Sequence, residues 1–349
     1  MTLDDYAAFR GRHRIALREE YGALMRQGRN VELPALTRHT EADGVIKFCL
    51  PAGERNGLPL ETESVIIPMT SYRASSWYTL CISSQVGCRM GCTFCETGRM
   101  GLLHNLTAAQ IVRQRLVARQ ILLARHPDLN HAADRRSAVP PHCYFADGIR
   151  NIVFMGMGEP LDNFDQVTQA IRVFSDPAGL DFPRTQITLS TVGRIDGLRK
   201  LATLDGGGWH NLRIAISLNA ANDALRNQLM PINKGMPLAE LQRALLEYPM
   251  NKKGRFLIEY VLIKGVNDSL ADADAVAAWC KPLRCIVNLI PYNPQRFSPY
   301  ETPADQTVLD FLFRLKSHHI FTKRRITHGR DLMGACGQLG NPEVRRSAL

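Results

Sequence analysis

The chain has 349 residues, with 43 Lys and Arg against 33 Asp and Glu, a formal charge of +10 and 45% apolar residues. That composition excludes disordered, collagen-like and low-complexity classes, and the length suits two domains or one large α/β barrel with an extension. No stretch reaches the roughly 20 uninterrupted apolar residues of a membrane-spanning helix, and the start (Asp4, Asp5, Arg10, Arg12, Arg14) lacks an apolar signal core, so a soluble, cytoplasmic protein with no membrane partner is expected.

Residues 1–62 read as a short N-terminal extension, with one amphipathic helix over Tyr6–Arg26 and a strand over Gly44–Leu50. Residues 63–340 read as the core barrel, and within it strands and helices alternate from about residue 78 to 327. Short runs rich in Val, Ile and Leu, bounded by Gly, Pro, Asn or Asp, predict strands at Tyr78–Ser83, Asn151–Met155, Gln186–Thr191, Leu212–Leu218, Phe256–Ile263, Cys285–Ile290 and His319–Arg325. Helical segments fall between them at Leu106–Ala124 (with Thr107 as N-cap), Asn163–Phe174, Ile195–Leu204, Leu238–Leu246, Ala271–Lys281 and Asp305–Lys316. Repeated strand–helix units imply a parallel sheet, and six of them fit a partial (βα)6 barrel better than a closed eightfold one. Residues 126–149, with His126, Pro127, Pro140 and Pro141, read as a surface insertion, and 341–349 as a tail. Gly206-Gly207-Gly208 precedes a strand, so it reads as a turn and not as a phosphate loop.

Nine cysteines in a chain without a signal do not suggest a disulfide scaffold. Cys49, Cys143, Cys280 and Cys285 read as small buried hydrophobes. Cys88, Cys92 and Cys95 are different: spaced C-x-x-x-C-x-x-C directly after the first barrel strand, they can bind three irons of a cubic iron–sulfur cluster and leave the fourth open for catalysis. The competing reading is a zinc site whose fourth ligand is His104 or Cys81. Residues 316–349 carry seven basic side chains (Lys316, Lys323, Arg324, Arg325, Arg330, Arg345, Arg346) against Asp331 and Glu343, which suits either a phosphate-bearing partner or a solvated basic face.

The cysteine spacing resembles that of the radical S-adenosylmethionine (SAM) superfamily. The surrounding text is more specific. Leu80–Cys88, Phe154-Met-Gly-Met-Gly158-Glu159-Pro160, Leu189-Ser190-Thr-Val-Gly193, Ser217-Leu218-Asn219-Ala220, Asn288–Pro294 and Asp331–Leu339 resemble the RNA adenine methyltransferases of the RlmN/Cfr type, in the family's order. The resemblance implies a [4Fe-4S] cluster on Cys88, Cys92 and Cys95, with SAM chelating its open iron. It places SAM contacts at Gly158, Glu159, Ser190, Ser217, Leu218, Asn219 and Asn293. It implies that Cys336 is methylated first, that a radical from a second SAM takes a hydrogen from that methyl group, and that the carbon radical adds to adenine. Cys81 would then attack Cys336 and release product as a transient disulfide, and Glu63, in Glu63-Ser-Val-Ile-Ile-Pro68, would accept the ring proton. RNA with an unstacked adenine is the implied substrate, carbon 2 or 8 the target, a flavodoxin-like protein the electron donor, and a monomer the working unit. Four features depart from the family: the region before Glu63 is short, Glu96 precedes Thr97-Gly98 where Ser or Ala is common, Asn219 stands where His is common, and the insertion at 126–149 has no counterpart. Against this reading stand two others, a radical SAM enzyme acting on a peptide or small molecule, and a non-catalytic metal-bearing RNA-binding protein.

Overall fold

A computed structural model of the chain describes residues 15–27, 33–71, 76–126, 147–204, 208–295, 297–340 and 344. The insertion is therefore described only at its ends, the N-terminal helix only as α1 (Ile15–Gln27), and the tail only at Val344; Cys143, Gly206 and Gly207 lie outside the described residues.

Ten strands form one sheet whose order is β1 (Arg38–Ala42), β2 (Val45–Arg55), β3 (Leu58–Thr70), β4 (Ser76–Cys81), β7 (Ile149–Phe154), β8 (Ile187–Thr191), β9 (Arg213–Ser217), β10 (Phe256–Leu262), β11 (Cys285–Pro291) and β12 (Thr322–Arg324). From β4 to β12 every pairing is parallel. A parallel neighbour cannot be reached by a tight turn, so each step needs a crossover. The helices supply them: α3 (Ala108–Arg125) before β7, α4 (Phe164–Phe174) before β8, α5 (Ile195–Ala202) before β9, α6 (Asp223–Leu229) and α7 (Leu238–Glu247) before β10, α8 (Leu270–Cys280) before β11 and α9 (Asp305–Ser317) before β12. These are the six expected units, and the barrel is partial because β12 ends the sheet among the described residues. Thr107 caps α3 as predicted: its hydroxyl accepts from Gln110 N while the Gln110 side chain accepts from Thr107 N, so two otherwise orphaned amides are satisfied.

The extension differs from its reading. In place of a single strand over Gly44–Leu50, β1, β2 and β3 form an antiparallel ribbon that pairs through β3 onto β4. Its two turns are Asp43-Gly44 and Asn56-Gly57, all four residues at positive φ, a turn geometry whose twist matches paired strands. The β1–β3 ribbon is continuous with the barrel sheet. Tyr21, Leu24 and Met25 of α1 are buried, and Arg26 Nη1 donates to the carbonyls of Ala178 and Gly179 beyond α4.

After β12 the chain returns across the open side of the barrel. Lys47 on β2 donates to the Met333 carbonyl at 2.9 Å, and Gly340 N donates to Glu63 on β3 at 2.9 Å. Residues 329–340 thus form a strap from the last strand of the sheet back to the ribbon, and Cys336 lies within it.

Candidate active site

At the C-terminal ends of the parallel strands lies a cavity of about 1020 Å³, counting its open mouth. Its walls carry Cys88, Cys92 and Cys95 on one side and Cys336 on the strap, with Gly158, Glu159, Ser190, Ser217 and Asn219 at successive strand ends. Strand ends that follow crossovers face one way, so residues far apart in sequence converge there. Cys81, Glu63, Leu218 and Asn293 do not line it.

The three spaced cysteines sit on the loop between β5 (Gln85–Cys88) and the short helix α2 (Glu96–Arg99), which runs on into β6 (Gly101–Asn105), the partner of β5. They belong to a small apolar cluster with Met90, Phe94, Leu229, Met230, Ile263 and Tyr292. All three are free thiols, and burial pushes each thiol up, Cys88 well up. Burial outweighs the one cation that acts on them, Arg226 at Cys92, so the free thiols keep their protons, and metal ligation is the ordinary way of removing them. Among the described residues no group of three or more His, Cys, Asp or Glu is arranged to hold a single metal ion. His104 pairs with Val86 in the β5–β6 hairpin, and Cys81 lies at the end of β4, outside the cavity wall.

The loop is tied to the strap. Glu96 N donates to the Gly337 carbonyl at 2.8 Å, Thr97 Oγ1 to the Leu339 carbonyl at 2.6 Å, and Gln295 Nε2 to the carbonyls of Phe94 and Gly337. Asn293 Nδ2 donates to the carbonyl of Cys336 itself at 3.1 Å. Asn293 therefore holds the strap in this structure.

Gly158 follows β7 with φ +105, and a Cβ there would come within 2.7 Å of Gln85 Cβ and 2.8 Å of Ser84 Oγ, so only glycine fits this close approach. Glu159 is buried, and its carboxylate accepts from Leu161 N at 3.1 Å and Val192 N at 2.8 Å. Burial pushes it up to about 7 against these backbone donors and Arg194. Asn219 takes positive φ and is engaged as well: Oδ1 accepts from Val261 N at 2.9 Å. Leu218 is fully buried, its carbonyl accepting from Arg226. Ser190 and Ser217 keep their side chains half-buried on the wall.

Glu63 is buried under the strap. Lys47 Nζ lies 2.8 Å from Oε2, which also accepts from Gly340 N, and Arg38 lies 3.8 Å from Oε1. Cys81 is buried beside Val153, its partner across β4 and β7. Burial and the Cys336 sulfur push its thiol up to about 12, and Arg325 opposes them.

Sequence reading passed over Glu259, Lys47 and Arg226, and it placed Arg325 in a basic surface cluster, whereas the structure turns that side chain inward onto Glu259. Arg325 and Glu259 face into the cavity below Cys336, Lys47 bridges Glu63 and the strap, and fully buried Arg226 donates to the carbonyls of Val192, Ser217 and Leu218, binding the ends of β8 and β9 together. A charged residue inside an apolar strand run, as Glu259 is in Phe256–Leu262, was the available signal. Cys49, Cys280 and Cys285 are buried as read.

No family model matches the chain. A probable dual-specificity RNA methyltransferase RlmN from Protochlamydia amoebophila is 43% identical over 287 residues, 82% of this chain and 72% of that protein. The RlmN of Parvibaculum lavamentivorans is 40% identical over 319 residues, covering 90% and 74%. A solved radical SAM methyltransferase from Sphaerobacter thermophilus superposes with a TM-score of 0.78 at 32% identity, covering 97% of each chain. Similarity of this extent across the barrel, the cysteine loop and the strap shows that the chain belongs to the RlmN family of radical SAM methyltransferases.

Proposed function

We propose that the protein methylates an adenine carbon, 2 or 8, in RNA, carrying the methyl group on Cys336 and using a [4Fe-4S] cluster and SAM. The observation that carries this reading is the convergence of Cys336 and the three free cysteines on one cavity, in a chain of this family. The residues fit both groups. Cys88, Cys92 and Cys95 would hold the cluster, in a niche where burial disfavours free thiolates and no single-ion site is formed. Gly158, Glu159, Ser190, Ser217 and Asn219 would hold SAM: Gly158, packed tightly against Gln85 and Ser84, presents its backbone to the cavity, and Glu159 offers carboxylate oxygens to the SAM ammonium.

Bound together, the cluster and SAM supply a methyl group for sulfur and a carbon-centred radical that activates it, which polar transfer to an unactivated adenine carbon cannot do. The chain's residues do the rest. Cys336, half-buried at the mouth, presents its sulfur both to the interior and to an incoming base. Asn293 and Gln295 fix the strap backbone around it. Cys81 releases the product: its thiolate attacks Cys336 Sγ, the S–S bond forms, the Cys336 S–C bond breaks, and its electron pair passes to the departing carbon, which takes up a proton. Glu63 accepts the ring proton. Because Glu63 lies under the strap and outside the cavity wall, with Lys47 and Gly340 N both on Oε2, that transfer requires the strap to shift.

A base in stacked RNA cannot reach a half-buried sulfur, so the target adenine must be flipped out. Lys316, Lys323 and Arg330 are exposed and suit phosphate contacts, which makes binding strongly salt-dependent. Ribosomal RNA is the first substrate to test and transfer RNA the second, with a flavodoxin-like protein as electron donor and a monomer as working unit. Among the described residues no helix is long and apolar enough to cross a membrane.

The test is peptide mass spectrometry around Cys336 after anaerobic incubation with SAM bearing a deuterated methyl group. A labelled methyl on Cys336, absent in Cys336→Ala, is expected. Unmodified Cys336 in protein that still cleaves SAM overturns the reading.

A further inference from the structure

Below Cys336 the barrel interior holds a polar group that the mechanism above does not use. Arg325 follows β12, its backbone N donating to the Leu289 carbonyl at 2.8 Å, and its side chain enters the cavity. The guanidinium meets Met155 Sδ at 3.5 Å and Glu259 Oε2 at 3.7 Å. Glu259 is buried; its Oε1 accepts from Asn288 Nδ2 at 2.9 Å, while Oε2 has no hydrogen-bond donor and keeps only the ion pair. Glu259 and Asn288 are register partners on β10 and β11, so the backbone fixes the anchor. Met155 lies two residues past Val153, the register partner of Cys81. The cation therefore spans from the β10–β11 side of the barrel to the β7–β4 side, between the strap cysteine and the strand cysteine.

We propose that Arg325 supplies the positive charge that stabilises the Cys81 thiolate, and that Glu259 and Asn288 hold it in position as a counterweight. This rests on the reading of Cys81 as the thiol that releases product. The charged neighbours from each packed element support it. The strap brings Cys336, whose sulfur opposes ionisation of Cys81; β12 brings Arg325, which favours it. On β3 the nearest carboxylate, Glu63, is compensated by Lys47 and Arg38. On α3, Arg115 is paired with Asp147 at 2.7 Å. The sum gives an order of events. An ionisable Cys336 sulfur opposes charge on Cys81; once Cys336 carries carbon that opposition ends, and Arg325 has only burial left to work against. The releasing thiol is thereby armed only after its target has been loaded.

The test needs no RNA and no methyl transfer. Cluster-loaded protein carrying Cys336→Ser, which mimics the loaded state by removing the second thiol, is treated with methyl methanethiosulfonate in brief pulses from pH 8 to 12, and labelling of Cys81 is followed by peptide mass spectrometry. Restricted access scales the labelling rate at every pH without moving its midpoint, and the burial that raises the midpoint is common to parent and variants. Adding Arg325→Met is expected to raise the midpoint by about one pH unit, a roughly tenfold loss of thiolate at neutral pH. Arg325→Lys stays near the parent, and Glu259→Gln, which leaves the cation uncompensated, lowers the midpoint. Loss of packing alone would move the Met and Gln variants in the same direction. Equal midpoints in parent and Arg325→Met, a common direction for the Met and Gln variants, or no labelling of Cys81 at any pH in the parent each overturns the proposal. Failure of Cys336 to acquire a methyl group in the earlier experiment would overturn the functional reading and leave these midpoints as they are.

Discussion

The cysteine loop at 88–95 and the strap at 329–340 present thiols to the same cavity by opposite means. The loop is embedded: Cys88 and Cys92 are buried among Met90, Phe94, Met230 and Tyr292, and Thr93 N donates to the Leu229 carbonyl at 3.0 Å. The strap has little core of its own. Ala335 and Leu339 are buried, but Cys336 is half-buried, and the backbone of the strap as a whole hangs on Asn293, Gln295, Thr97, Lys47 and Glu63. Thiols that must stay still are set in packed apolar surroundings, and a thiol that must be loaded, attacked and released is held by a few removable polar ties. The largest expected effect separates the two. Cys92→Ala should lose bound iron and SAM cleavage together, whereas Cys336→Ala should keep its iron and the cavity and lose only the methyl label. Iron and sulfide analysis beside the labelling assay decides it; loss of iron in Cys336→Ala would merge the two regions into one unit.

Lys47 sharpens the same contrast. It joins Glu63 at 2.8 Å and the Met333 carbonyl at 2.9 Å, with its side chain only 11% exposed. Lys47→Met leaves a buried carboxylate with a single distant cation and frees the strap at one end. Breaking one side of a buried pair costs about 3 kcal/mol, so a clear fall in the melting temperature is expected, with iron content unchanged and Cys336 methylation slowed. Equal losses in iron and methylation would show that the strap and the loop do not move separately.

How much of this was legible follows from the range of each interaction. The parallel strands could be read because each buries both faces and appears as a short Val, Ile and Leu run between breakers; predicted and observed bounds agree within a few residues, as for Phe256–Ile263 against Phe256–Leu262. The ribbon was missed although Asp43-Gly44 and Asn56-Gly57 are strong turn signals, because Pro51, Gly53 and a bulge between them break up the alternation along β2. The metal cysteines are a local pattern and needed no fold. Cys81 and Cys336 lie 255 positions apart, and only resemblance to a family joined them before the sheet did. Lys47 carries no local signature, Glu259 only that of a charge inside an apolar strand, and Arg325 only that of one base in a basic segment. Their neighbours come from other strands and the strap, so their roles exist only once the barrel has closed around them.

A weaker tie tests how evenly the strap's attachment is shared. Thr97 Oγ1 donates to the Leu339 carbonyl at 2.6 Å between buried partners. Thr97→Val keeps the shape and removes the donor, leaving one carbonyl unsatisfied, for a cost of about 1 kcal/mol. Because the backbone link from Glu96 N to the Gly337 carbonyl remains, iron content should hold and methylation of Cys336 should fall only slightly. A collapse of activity would mean that this one hydroxyl sets the strap, in place of the distributed set of contacts.

The smallest effect lies where the same kinds of group meet in water. On the outer helices Asp274 contacts Arg314 at 2.6 Å and His318 at 2.7 Å, hydrogen bonds that hold its carboxyl down to about 2. The distances match those of the Lys47–Glu63 pair, but the side chains are 39% to 45% exposed, so solvent and salt screen most of the attraction. A carboxyl lowered on folding stabilises the fold above its unfolded value near 4, and that contribution disappears as pH falls from about 4 to about 2. Asp274→Asn should therefore leave unfolding at pH 7 nearly unchanged, slightly flatten the loss of stability below pH 4, and leave Cys336 methylation at the parent rate. Urea unfolding at pH 7 and pH 3 measures both. If Asp274→Asn cost as much as Lys47→Met, burial would not be what gives the strap's ion pair its hold, and the contrast between tied and solvated charges in this protein would have to be drawn on other grounds.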